Sequence, residues 1–215
     1  MKIYCLIASV ILSFSTFSQK SYYFSDPLPS ATSNIASVDK KFYGTYKSKT
    51  GTISYQFDAE GVSIISTSIS SISRETIRES TVYDVRGKYI FGVFNNDSLP
   101  CVLEDEYYYF GVRNIDIFIG GRSQNILTQS ATSNVYFLNV FENGNYVPIQ
   151  LDFKGGKLTM NYFEYDLEST RFEFVAKQKT IDTQYQKLVV LSPTEEEFET
   201  LRTIGVFELP RVFKR

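Results

Sequence analysis

The sequence contains no histidine and no tryptophan, and only two cysteines. Without histidine a chain has no Ser-His or Cys-His nucleophile pair and lacks the most common zinc ligand. Cys5 lies in the predicted signal peptide, so Cys101 is the one thiol expected to remain after cleavage. No intramolecular disulfide can then form. A formal net charge of −2 with a pI near 5.4 disfavours a nucleic-acid partner. We therefore expect no metal, no cofactor and no nucleic acid.

The first residues have the layout of a secretory signal. Lys2 precedes an apolar run from Ile3 to Leu12, and small side chains alternate in Thr16-Phe17-Ser18. The run is about ten residues long, whereas a permanent membrane helix needs about 20. We predict that residues 1–18 are a signal peptide cleaved before Gln19. The mature chain is then periplasmic or extracellular, with no membrane span.

The remaining chain, roughly 195 residues, is the size of one domain. Residues 19–41 are rich in Ser, Thr and Asn and contain Pro27 and Pro29. This composition predicts an extended leader with little structure of its own. A single β-rich domain is then expected over residues 42–215.

Aromatic residues are abundant, with 16 Tyr and 18 Phe, and they favour strands. Apolar residues alternate with polar ones over Thr52–Asp58 and again over Val147–Phe153, which predicts half-buried strands. Turn residues follow each strand at residues 58–61 and 154–156, so each should return as a hairpin. We expect an all-β fold, a mostly antiparallel meander forming a barrel, with a β-sandwich as the alternative.

Three other segments give weaker or more local signals. The stretch from Ile65 to Ile77 is interpreted as strand, although three isoleucines in it have helical spacing. Pro148 should place its strand at a sheet edge or beside a bulge. One short α-helix is predicted near 193–203, with Ser192 as its cap, Pro193 in the first turn and Gly205 as its stop, followed by a strand over 206–213.

Two segments resemble each other, Tyr89–Asp97 and Tyr108–Asp116, and Tyr136–Asn143 is a looser third copy. Equivalent strands of a meander explain such a match, and a repeated binding motif is the alternative. Gly92 and Gly111 would suit bends of a curved sheet. If the copies face one interior, Phe91, Phe110 and Phe137 point into it, and the candidate ligand-binding residues are Tyr89, Phe91, Tyr108, Phe110 and Tyr136.

The two ends of the chain resemble lipocalin-like (calycin) β-barrels. Phe42-Tyr43-Gly44-Thr45-Tyr46 is similar to the family's opening Gly-x-Trp strand, with Tyr46 in place of the tryptophan. Leu191 to Leu201, then Gly205 and Val206 to Pro210, resembles the helix packed outside the barrel and the short closing strand. The resemblance implies a carrier role for small apolar ligands.

Three functions follow as hypotheses. The first is an exported, non-catalytic β-barrel domain that binds a small apolar or aromatic ligand or a partner surface. The second is a carboxylate-dependent glycoside hydrolase, for which Glu104, Asp105 and Glu106 are the densest acids outside the helix. The third is a structural or assembly module that recruits another chain through a strand edge. No catalytic residue is assigned, and the identity of any protein partner stays open.

Overall fold

The computed structural model describes residues 20–30, 32, 34–94, 97–130, 134–163, 169–183 and 187–215. The predicted signal peptide, residues 1–18, lies outside these residues. Most of the described residues are in strands, which confirms the predicted β class. The strands of the N-terminal half are β1 (Lys20–Phe24), β2 (Gly44–Lys47), β3 (Ile53–Asp58), β4 (Gly61–Ser73), β5 (Asp84–Arg86), β6 (Tyr89–Phe94), β7 (Asp97–Glu104) and β8 (Tyr107–Ile119).

The C-terminal half continues the same pattern and adds one of the two α-helices. Its strands are β9 (Ile126–Gln129), β10 (Val135–Glu142), β11 (Asn145–Lys154), β12 (Lys157–Tyr162), β13 (Gln178–Asp182), β14 (Lys187–Leu191) and β15 (Leu209–Lys214). The helices are α1 (Arg74–Glu79) and α2 (Glu195–Thr203), and short 3-10 turns lie at Lys40–Phe42 and Ser169–Phe172.

All these strands form one sheet, whose order is β13-β14-β1-β11-β12-β15-β2-β3-β4-β8-β7-β6-β5, with β10 pairing β11 and β9. Every pairing among the described strands is antiparallel except that of β1 with β14. Within the described part of the chain the path is open, because β13 and β5 do not pair with each other. The predicted all-β fold with mostly antiparallel pairing is confirmed, whereas these pairings do not close the sheet into a barrel.

Both predicted hairpins form. β3 returns as β4 through the turn ending at Gly61, and β11 returns as β12 through Gly155 and Gly156. Gly61 has φ 136°, and a Cβ added to it would lie 2.1 Å from the carbonyl O of Ile119. Only glycine fits this turn, because a side chain would collide with the backbone of β8.

Pro148 does not mark an edge strand, which corrects that prediction. β11 pairs β10 along one side, while β1 and β12 share its other side. On that shared side the β12 pairing ends at Ile149 and the β1 pairing lies at Tyr146. Pro148 therefore occupies the gap between two partners, where a missing N–H removes no ladder bond.

The predicted C-terminal helix is confirmed, with a different cap. Thr194, rather than Ser192, caps α2, and Glu197 completes a capping box with it. Because β-region Thr194 directly precedes the helix, Pro193 lies before the first turn. The last strand starts at Leu209, later than predicted.

Cluster 1, the larger core cluster, collects side chains from the middle of the sheet, and Phe153 lies at its centre. The Phe153 ring stacks on Phe42 at 4.6 Å between centroids. It meets Phe57 at 5.2 Å and Tyr136 at 5.8 Å in edge-to-face contacts, a favourable geometry for aromatic rings. The buried members of cluster 1 are Val38, Tyr46, Tyr55, Phe57, Val62, Ile119, Leu127, Tyr136, Leu138, Ile149, Leu151, Phe153, Leu158, Met160 and Phe213.

Cluster 2 lies on the other side of β10, because neighbouring residues of a strand point to opposite faces. Tyr136 and Leu138 belong to cluster 1, whereas Phe137 packs against Phe198 of α2 at 5.2 Å between ring centroids. The buried members of cluster 2 are Tyr22, Phe24, Leu28, Phe137, Phe163, Phe172, Val175, Val189, Leu191, Phe198, Leu201, Val206 and Phe207.

The segment predicted as a loose leader is part of this structure. Residues 20–24 form β1, parallel to β14, with Tyr22 and Phe24 buried in cluster 2. Asn139, itself fully buried, accepts a hydrogen bond from the Leu28 N–H at 2.8 Å and donates one to the Leu28 carbonyl O at 3.0 Å. Thr128 also donates to that carbonyl. The prediction failed because these partners are 100 or more residues away in the chain.

Replacing Asn139 with leucine should lower the free energy of unfolding by about 2–4 kcal/mol, because the buried Leu28 N–H loses its acceptor and the Leu28 carbonyl O loses one of its two donors. Urea denaturation followed by circular dichroism measures the change. Asn114→Leu, on an exposed strand position, is the matched control and should stay within about 0.5 kcal/mol. Equal effects of the two variants would contradict the anchoring role.

Glu197 links α2 to the preceding loop. Its carboxylate accepts hydrogen bonds from the N–H groups of Thr194, at 2.7 Å, and Ala176, at 2.8 Å. These two bonds lower the pKa of Glu197 in the folded chain. The carboxylate therefore stabilises the fold above its unfolded pKa of about 4.3, and this stabilisation is lost as the pH falls through the folded pKa.

Glu197→Gln should lower the melting temperature at neutral pH and flatten its fall in acid, since the group that titrates is gone. Thermal melts of both proteins from neutral to acidic pH test this. Glu195→Gln, an exposed acid in the same helical turn, is the control. A Glu197→Gln variant that loses stability in acid as steeply as the parent would contradict the assignment.

Candidate functional site

One part of the sheet extends away from both core clusters. We call the segment from Ser63 to Ile117 the arm; it comprises most of β4, α1, β5, β6, β7 and most of β8. Long pairing between β4 and β8 holds it together, from Ser63 opposite Ile117 to Ser73 opposite Tyr107. Among the described residues, the arm contributes only Ile64 to the two clusters, as a partly buried neighbour of cluster 1.

The sequence prediction of strand over 65–77 is partly confirmed. β4 continues to Ser73, and α1 then begins at Arg74. Ser73 caps this helix, since its hydroxyl accepts a hydrogen bond from the Thr76 N–H at 3.0 Å. The Ser-rich strand thus ends where a serine can satisfy the first free N–H groups of a helix.

Strand register decides which side chains share a face of the arm. Residues directly opposite each other in an antiparallel pair lie on the same face, and the face alternates along each strand. Tyr109 lies opposite Ser71 of β4 and Val102 of β7. Tyr89 lies opposite Pro100, two residues before Val102 on the same face.

One face is unusually apolar and exposed to solvent. We call it the arm face. Seven large side chains occupy it, and Ile69, with 78 % of its surface exposed, is the most open of them. Its members are Ile69, Tyr89, Val102, Tyr107, Tyr109, Ile115 and Ile117. A large exposed group of apolar side chains on one sheet face is typical of an interaction site.

Two charged residues flank the centre of the arm face. Glu104 lies opposite Tyr107, and Arg113 lies on the same face six residues further along β8. Six residues of strand span about 20 Å. Neither side chain forms an ion pair with another described residue. On β8, Tyr109 and Gly111 therefore lie between one free acid and one free base, and Ile115 and Ile117 follow beyond Arg113.

The opposite face of the arm contains its buried side chains, although Leu103 on that face is 46 % exposed. Ile90 is fully buried and Phe110 is 5 % exposed, and Phe110 lies opposite Cys101. Burial raises the pKa of the Cys101 thiol, which disfavours its reactive thiolate form.

An open cleft of about 650 Å³ lies beside α1 on the more buried side of the arm. Tyr108 and Ile77 provide its apolar surface, and both side chains are half-buried. Charged side chains complete the lining: Arg74, Glu75, Arg78 and Glu106. Arg74 contacts Glu106 at 3.9 Å, and Arg78 contacts Glu75 at 3.9 Å, so acids already face both arginines.

The structure does not bring the five predicted ligand-binding residues together. Tyr89 and Phe91 point to the side of the arm face, and Tyr108 and Phe110 point to the opposite side. Tyr136 is fully buried in cluster 1. Of the five, only Tyr89 is among the exposed side chains of the arm face, and only Tyr108 lines the cleft.

The internal similarity does not correspond to equivalent positions. Phe91 and Phe110 align in the sequence but lie on opposite faces, and Phe137 is in cluster 2. The three rings therefore share no interior. Gly92 does sit at a bulge, with φ 81° and a register shift beside it. Gly111 instead occupies a regular strand position opposite Ile69.

The predicted acidic cluster is the turn between β7 and β8. Glu104, Asp105 and Glu106 are all exposed there, and Asp105 takes φ 52° to close the turn. Glu106 contacts Arg74, whereas Glu104 lies on the arm face.

Across the described ranges, no group of three His, Cys, Asp or Glu side chains could hold a metal ion. Nor does any helix in those ranges have the length and apolar character to cross a membrane.

Sequence reasoning missed Ile69, Val102, Ile115 and Ile117 as functional candidates. Their alternation with polar residues is typical of a half-buried strand, so the pattern indicates one apolar face but not its exposure. The signal that could have been used is the length of β4 and β8, thirteen residues each, which exceeds what one core covers.

A scan against protein-family models and searches of curated proteins and solved structures found no match for this chain.

Phe110→Ala should lower the free energy of unfolding by about 3 kcal/mol, because a buried ring is removed from the packed side of the arm. Tyr107→Ala, which removes a half-exposed ring from the arm face, should cost less than about 1 kcal/mol. Chemical denaturation of both variants provides the comparison. A larger loss for Tyr107→Ala would mean that the two faces have been assigned in reverse.

Proposed function

We propose that this chain is an exported, non-catalytic β-rich domain that binds a partner surface through the arm face. The single observation that carries the proposal is the contrast between the two faces of the arm. One side buries Ile90 and Phe110, while the other leaves seven large apolar side chains in solvent. Exposing so much apolar surface costs free energy in water, and a bound partner would remove that cost.

The packing of cluster 1 supports a surface site over an internal one. Aromatic rings meet around Phe153 at 4.6–5.8 Å between centroids, and Leu151, Leu158 and Met160 are fully buried beside them. Side chains thus fill the region where a carrier would hold its ligand. A partner surface, the second half of the leading hypothesis, is the better supported of the two.

Export is proposed on the sequence pattern of residues 1–18. The absence of histidine supports a non-catalytic role, since the usual general base is missing. The hydrolase alternative receives little support from geometry, because Glu104 and Glu106 lie exposed at one turn rather than across a cleft.

For the architecture, we propose a barrel around cluster 1. Nine strands contribute buried side chains to this cluster: β2, β3, β4, β8, β9, β10, β11, β12 and β15. Residues 35–36 lie between β9 and β4: Ile35 bridges to Leu127, and a Cβ added to Gly61 would lie 3.5 Å from the Ala36 carbonyl O. This arrangement supports a short seam between the two strands, in keeping with the lipocalin-like resemblance at the chain ends.

The cleft beside α1 favours a second candidate, the binding of a small aromatic ligand. Tyr108 offers a ring to stack on, and the two arginines, Arg74 and Arg78, could bind an acidic group of the ligand once they part from their acids. This candidate keeps one of the predicted residues, Tyr108, in a ligand-binding role.

Photo-crosslinking in the native host tests the partner surface. A benzophenone amino acid placed at position 69 or 102 should give adducts of higher mass, because both side chains face solvent from the arm face. The same substitution at the exposed Lys157, outside the arm, is the control and should give none. Cell fractionation in the same experiment should find the chain in the envelope or medium, beginning at Gln19.

Absence of adducts at both arm positions, with the protein exported and folded, would reject the partner-surface role. A cytoplasmic protein that keeps residues 1–18 would reject export.

A further inference from the structure

We propose that the partner at the arm face is a second copy of this chain, bound face to face in a two-fold dimer. This inference rests on the proposed function and names its occupant. It comes from three properties of the arm face: its area, the order of its charges and the position of Gly111.

The apolar area suits a dimer. Ile69, Tyr89, Val102, Tyr107 and Tyr109 together expose on the order of several hundred Å², the same order as the roughly 800 Å² per partner of a stable interface, while Ile115 and Ile117 lie beyond Arg113, outside the stretch of strand that faces the other copy. Two sheet faces pack about 10 Å apart with interdigitating side chains. A two-fold dimer buries the same patch on both copies, so a single apolar face is sufficient.

The charges complement each other across such an axis. We place the two-fold axis between the two facing sheets, perpendicular to β8 and above the midpoint between Tyr107 and Arg113. Rotation about this axis brings position 113 of one copy over position 107 of the other. Arg113 of each copy then lies over Tyr107 of the other and is offset sideways from Glu104 by one strand spacing, about 4.8 Å, so the two long side chains can meet across the gap between the sheets. Two symmetric pairs form from side chains that have no ion-pair partner within the described chain. A guanidinium over a tyrosine ring adds a cation–π contact.

The side chains near this axis also fit each other in size. The axis passes between Tyr109 and Gly111, so the Tyr109 ring of one copy faces Gly111 of the other. Gly111 does not adopt a positive φ and lies in regular pairing with Ile69, so the backbone conformation does not require glycine, although an added Cβ would lie 3.3 Å from Thr67 Cγ2. A glycine inside a strand marks a place where another group comes close. Here the missing side chain leaves room for the tyrosine ring.

Sedimentation equilibrium of the processed chain, at micromolar concentrations, tests the proposal. The parent should have twice the mass of one chain. Ile69→Asp should be a monomer, with unchanged circular dichroism because the side chain is already exposed. Val212→Asp, at a half-exposed position on β15 outside the arm, should remain a dimer.

Charge exchange gives a second, independent test that leaves the apolar face intact. Glu104→Arg or Arg113→Glu alone should weaken the dimer about tenfold or more, because like charges then face each other. The double variant should restore the parent affinity, since the pair is re-formed with the charges reversed. Double-variant dimers that stay as weak as the single variants would overturn the proposed axis.

A monomeric parent at every concentration would overturn self-association, as would a dimer unaffected by Ile69→Asp. The cellular adducts separate this failure from failure of the proposed function. Adducts at position 69 whose added mass is not that of a second chain, together with a monomeric parent, would leave the partner-surface role standing and identify another protein as the occupant. A monomeric parent without cellular adducts would remove both.

Discussion

The burial of β10 on both faces is the constraint on which the rest of the structure depends. Tyr136 and Leu138 point into cluster 1, while Phe137 and Asn139 point the other way. A strand that is buried on both sides cannot alternate apolar and polar residues, and a buried amide side chain within it must find hydrogen-bond partners. Asn139 finds them in the backbone of Leu28, so the polar group that interrupts the strand also fixes the N-terminal segment.

That double burial divides the molecule into regions with different tasks. In the central sheet the aromatic residues of the two clusters pack against each other, as the contacts of Phe153 and Phe137 illustrate. The arm lies beyond both clusters and keeps only one of its faces buried. A single sheet thus supplies a packed interior and, through the extra length of β4 and β8, an apolar outer face. Binding is therefore assigned to the part of the sheet that the core does not use.

The turns and the helix start could be predicted from the sequence, because their residues are close in the chain. Pairings between distant segments could not. The hairpins at Gly61 and Gly155, and the helix beginning after Thr194, follow from turn and capping residues a few positions apart. The parallel pairing of β1 with β14 joins residues that are 167 positions apart, and nothing within residues 19–41 signals it. Pro148 was misplaced for a related reason, because its tolerance depends on two strands sharing one side of β11.

The predicted ligand-binding residues do not form one site. The sequence did not show on which face of the sheet each side chain lies. Similar sequences at Phe91 and Phe110 suggested a shared interior, yet strand register turns these rings to opposite sides. Periodicity reveals that a strand has an apolar face, but only the tertiary structure decides whether that face is covered. The cluster of tyrosines at 107–109 shows both outcomes, with Tyr108 lining the cleft and its two neighbours on the arm face.

Hydroxyl-radical footprinting tests most directly whether the arm face is a contact surface. The protein would be oxidised in its cellular location and, for comparison, as a purified chain at high dilution. The account predicts that Ile69, Tyr107 and Tyr109 are modified much more slowly in the cell, while Val212 reacts equally in both samples. Equal rates at all four residues would show that nothing covers the face and would contradict the account.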